Sequence, residues 1–129
     1  MNSKLAMTSA SIVLGASGLL LIFLPQEMAS TLEWSDDSAV LLQLIGATYF
    51  GFAMLNWMAR GTLVGGIYGR PIVIGNLTHF VIGASIMIKQ SISNPSIVVL
   101  VVAAVVHIAF ALIFGYMMTH HPIKEKNHV

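Results

Sequence analysis

His79 and His107, with the phenol of Tyr49, are the acid–base side chains that lie deep inside the long apolar stretches of this 129-residue chain. Imidazole ligates haem iron and metal ions. It also titrates near neutral pH, so it can relay protons or contact a bound molecule. An ionisable group in hydrocarbon is expensive when unpaired, so each histidine calls for a partner. Three chemistries follow. One is a b-type haem or metal ion held by His79 and His107. The second is a ligand pocket built from Tyr49, Asn56, Asn76, His79 and His107. In the third, each neutral imidazole simply bonds to Tyr49, Asn56, Asn76 or a backbone carbonyl.

Other residues offer less specific chemistry. The segment 43–57, QLIGATYFGFAMLNW, is the densest in polar and aromatic character. It reads either as a ligand-binding wall or as interhelical glue closed by an interface tryptophan. The loop ARGTLVGGIYGRP sets Arg60 and Arg70 around Gly65, Gly66 and Gly69. Glycine N–H groups beside arginines can hold an anion or an acidic lipid headgroup. A flexible interfacial turn would look the same. Met117, Met118, His120 and His121 invite a copper reading, although exposed terminal histidines more often bind nothing.

Several functions lack their machinery. With no cysteine there are no disulfides, thiolate metal sites or CxxC redox pairs. No carboxylate falls in the apolar stretches, so the membrane glutamate of small proton-coupled exporters is missing. No Ser–His–Asp set, zinc-protease motif or carboxylate pair is visible, so the reading leans away from an enzyme. A net charge of +1 argues against a nucleic-acid partner, which needs a concentrated basic face.

The elements that must position these residues are membrane helices. Hydrophobic residues make up 57% of the chain and charged residues only 9%, against about 25% charged in soluble domains. Four apolar stretches occupy about 8–24, 38–59, 71–88 and 96–118, and none contains Asp, Glu, Lys or Arg. At about 1.5 Å per residue each spans a hydrocarbon core of about 30 Å. Barrel strands would be half as long and would alternate. The fold expected is therefore all-α, a four-transmembrane-helix bundle forming one integral membrane domain over residues 1–129. The first stretch reads as a span rather than a signal peptide, because the run is long and Pro25-Gln26-Glu27 is a poor cleavage context.

Punctuation agrees with this. Asp36, Asp37 and Ser38 offer N-caps, and Pro71 and Pro95 sit near the starts of the third and fourth spans. Trp34, Trp57, Tyr68 and Tyr116 lie near span ends. Lys4, Arg60, Arg70, Lys124 and Lys126 fall on one side and only Lys89 on the other, which predicts cytoplasmic N- and C-termini.

Helical spacing gathers small and polar residues into stripes. They are Ser11, Gly15, Gly18 and Ile22; Gln43, Gly46, Tyr49, Ala53 and Asn56; Gly75, Asn76, His79, Gly83 and Ile86; and Ser96, Ala103, His107, Ala111 and Met118. Leu41, Leu44, Phe52 and Leu55 are expected to face away. Counting from the cytoplasmic ends places His79, Tyr49 and His107 at about 12, 15 and 17 Å of depth, with Asn56 and Asn76 below them. The expectation is a polar pocket in the inner half of the bundle, open to the cytoplasm.

The stretches LGASGLLLIFLP at 14–25 and LIGATYFGFAMLNW at 44–57 resemble small four-helix bacterial membrane proteins of the DoxX-like type. The resemblance covers most of the chain in layout and implies a multi-pass inner-membrane protein. It transfers no site residue. The leading expectation is a non-enzymatic accessory or subunit protein without a cofactor, in a homo-oligomer or larger membrane complex. The alternatives are a binder or transporter of a small neutral or amphipathic molecule, and a haem electron carrier.

Overall fold

The computed structural model describes residues 2–62 and 64–120. His121, Lys124 and Lys126, which entered the charge and copper arguments, lie outside the described residues. Among the described residues there are five α-helices: α1 (Ser3–Phe23), α2 (Pro25–Thr31), α3 (Ala39–Ala59), α4 (Gly69–Ser93) and α5 (Val98–His120). No strand occurs among the described residues. The four long helices, α1, α3, α4 and α5, are each long and apolar enough to cross a membrane.

Local chemistry sets the boundaries. Helix α1 begins five residues before the first predicted span because Asn2 Oδ1 accepts hydrogen bonds from the amides of Lys4 and Leu5. Pro25 opens α2, where its missing N–H costs nothing. Helix α2 itself was not anticipated from the sequence. A single 3-10 turn, Asp36–Ser38, leads into α3, and no side chain caps that helix. Helix α4 starts at Gly69 and continues past the expected end through Lys89 and Gln90, residues that sustain a helix without needing burial. Pro95 lies in the α4–α5 connection, ahead of the helix it was expected to open.

Helices α1 and α3 run side by side at close backbone distance, and so do α4 and α5. Between these two pairs the approach is made mainly by side chains. Small residues explain the first close pairing. A Cβ added at Gly18 would stand 2.8 Å from the Gly46 carbonyl oxygen, and one at Gly46 would stand 2.8 Å from the Gly18 oxygen. Ser11 Oγ donates to the Ala53 carbonyl at 2.8 Å on the same face. Ser11, Gly15, Gly18 and Ile22 thus form the predicted packing stripe.

One buried cluster joins Met7, Leu14, Val73, Phe80, Phe114 and Met117 at the end where α1 begins and α3 finishes. A smaller one joins Leu21, Ala29 and Leu42 near α2. Tyr49 packs against both. The outside is apolar: Leu41, Leu44, Leu55, Met58 and Leu112 are all more than half exposed, as suits hydrocarbon.

Four stripe assignments need correction, the first being Gln43, which is exposed and donates to the Ile22 carbonyl rather than entering the seam. Phe52 does not face away; it is half-buried and stacks on His79. Ile86 is exposed, because the buried arc of α4 runs through Val73, Asn76, Phe80 and Ala84. Ser96 is exposed and precedes α5.

Candidate functional site

Tyr49, His79 and His107 come together, as their predicted depths required. Tyr49 is ten residues from each end of α3 and His79 ten after the start of α4, about 15 Å in both cases. The Tyr49–His79 ring centroids are 5.2 Å apart, Tyr49–His107 6.2 Å and His79–His107 5.9 Å.

The hydrogen-bond directions of His107 follow from its neighbours. Its Nδ1 is 2.7 Å from the Ala103 carbonyl oxygen, one turn back on α5. A carbonyl only accepts, so Nδ1 carries a proton. In the neutral ring Nε2 is then an acceptor, and the Tyr49 hydroxyl 3.2 Å away donates to it. Gly83 makes this geometry possible. A Cβ there would sit 2.5 Å from His107 Cδ2, so only glycine lets the ring lie against α4.

His79 is placed differently. Phe52 stacks on it at 4.8 Å, while Tyr49 and Phe80 meet it edge-on. Its ring is half-buried, yet Nε2 is sealed away without a hydrogen-bond partner. Polar atoms in that position are uncommon and costly.

Asn56 and Asn76 form a second polar layer, both wholly buried. Asn56 Nδ2 donates to Asn76 Oδ1 at 2.7 Å and to the Phe52 carbonyl at 2.9 Å; Asn76 Nδ2 donates to the Ile72 carbonyl at 2.8 Å. Asn56 Oδ1 has no partner. This layer is enclosed, whereas an opening at the inner end was expected.

Arg60 and Arg70 stand apart from the seam. The Arg60 guanidinium lies 3.8 Å over the Trp57 ring and donates to the Trp57 carbonyl. Arg70, in the first turn of α4, lines an open groove of about 260 Å³ with Gly65, Gly66, Ile67, Pro71 and Ile74. Met117 is fully buried, while His120 is exposed and stacked on Tyr116.

The sequence reading missed two members of the site. Phe52 lies three residues after Tyr49 and four before Asn56, so helical spacing admitted it to the stripe as readily as Ala53. Gly83 was on the stripe, but its work as the bed of His107 depends on a contact between helices. Among the described residues, no three His, Asp or Glu side chains gather to hold a metal ion. Haem fits poorly. Ligation by His107 would have to displace Tyr49 from Nε2, because Nδ1 is held by the Ala103 carbonyl. Comparison with protein-family models, curated proteins and solved structures returns no match to this chain.

Proposed function

We propose that the chain is a multi-pass inner-membrane protein with both termini cytoplasmic, binding a small neutral or amphipathic molecule between α3 and α4. The molecule's polar group bonds to His79 Nε2, and Tyr49, Phe52 and the Asn56–Asn76 layer frame it. One observation carries this reading: His79 Nε2 is buried and unpartnered, in a seam where His107 has a partner on each nitrogen. Packing alone rewards a fully paired or apolar interior, because an unsatisfied polar atom in hydrocarbon costs several kcal/mol. Helices α3 and α4 meet mostly through side chains, so entry needs only those side chains to part. The five-to-one basic asymmetry and the DoxX-like layout support the orientation and the bacterial inner membrane.

The accessory-subunit reading draws on the paired half of the seam, where Tyr49–His107 and Asn56–Asn76 tie helices together without a ligand. Native mass spectrometry from mild detergent separates the two. Binding predicts an adduct of a few hundred daltons on the wild type that is lost in His79→Ala. A bare chain in both, or one seen only with other polypeptides, favours the accessory role. A Soret band abolished by His79→Ala would restore haem.

A further inference from the structure

We propose that the α2 end carries a second site, for a small organic ammonium ion, seated between Glu33 and Trp34 on one side and Gln90 and Asn94 on the other. These four side chains line a cavity of about 120 Å³ floored by Ile97 and Leu100. At about 30 Å³ per water, that is the room of roughly four water molecules, enough for a substituted ammonium group.

The backbone gives the first argument. Helix α2 closes with the amide of Glu33 bonded to the Ser30 carbonyl and that of Trp34 to the Ala29 carbonyl. This is a Schellman ending, whose left-handed position is normally glycine. Glu33 occupies it at φ 57°, the single non-glycine residue with positive φ among the described residues. Any side chain there is costly. The strained carboxylate stands on the wall of the cavity, and backbone strain of this kind gathers at functional sites.

The chemistry of the wall gives the second. Glu33 has no ion pair among the described residues. Trp34 is 44% exposed and lines the cavity, and indole rings attract organic cations. Asn94 Nδ2 donates to the Gln90 carbonyl, leaving the Gln90 side chain and Asn94 Oδ1 to accept from N–H groups. Glu27, Glu33, Asp36 and Asp37 outnumber Lys89 at this end, so the local field favours a cation. One carboxylate and an indole do not make the oxygen cage that calcium or magnesium requires. The site is independent of the His79 seam.

A soluble amine and the ammonium headgroup of a phospholipid share this chemistry. Trp57→Phe leaves Trp34 as the sole tryptophan, and its emission reports occupancy. Protein in detergent is titrated with choline and with ethanolamine against matched potassium chloride. The same protein is compared in phosphatidylglycerol nanodiscs with and without phosphatidylethanolamine or phosphatidylcholine. A saturable shift with soluble amine assigns a free ligand; a shift with the zwitterionic lipids alone assigns a headgroup. In either case Glu33→Gln should weaken the response about tenfold or more. Glu33→Gly should lose it likewise while raising the melting temperature, because it relieves the left-handed strain. The proposal is overturned if neither arm saturates beyond the potassium control, or if Glu33→Gln responds like its parent.

Discussion

A tyrosine hydroxyl carries one proton and can donate it to only one of two neighbouring imidazoles. Tyr49 gives it to His107, whose other nitrogen is held by Ala103, and His79 is left with aromatic neighbours on three sides. Tyr49→Phe should therefore cost about 0.6 kcal/mol, the mean for cross-helix hydrogen bonds in a bilayer, measured as a loss of thermal stability in detergent. The Asn layer makes a sharper prediction. Asn76→Leu removes the acceptor of the Asn56 amide and should cost about 1–3 kcal/mol, while Asn56→Leu with Asn76→Leu should cost less than the sum of the two single changes. Additive values in that cycle would contradict the 2.7 Å bond. At this scale the sequence was partly legible. Depth counting brought Tyr49, His79 and His107 together, because rise per residue is fixed. The stacking of Phe52 on His79 was not, because spacing names a face and does not say which neighbour the face meets.

Among the elements, the tightest constraint is the crossing of α1 and α3. Each of Gly18 and Gly46 lies where a methyl would strike the other's carbonyl oxygen. Gly46→Ala should push the helices apart and cost about 1–3 kcal/mol, while Gly51→Ala, whose position opens onto empty space, should be neutral or stabilising through helix propensity. Equal melting temperatures for the two variants would refute this account. The small-residue stripe of α1 was readable because helices in lipid have little else to pack with. Helix α2 was not, since its seven residues lack any periodic apolar signal and depend on Pro25 and the Schellman turn.

For the whole molecule, the long apolar runs settled the four membrane-length helices in advance, since no soluble surface can be dressed with 9% charged residues. The orientation is a prediction with a clean readout, because the chain has no cysteine. Single cysteines at Ser35 and at Asn94 should react with a membrane-impermeant maleimide added to intact cells, and one at Gly61 should react only after lysis. The reverse pattern would invert the proposed topology.

Close pairing within α1–α3 and within α4–α5, with side-chain contact between the pairs, has an assembly consequence. The covalent link across residues 60–68 joins two units that recognise each other through Tyr49, Phe52, Asn56, Asn76, His79 and His107. Expressed as separate polypeptides divided in that loop, the two halves should find one another in the bilayer and co-purify. Asn56→Leu with Tyr49→Phe should abolish that reunion while leaving each half inserted. The seam that holds the candidate site would then also be the code by which one half of the protein recognises the other.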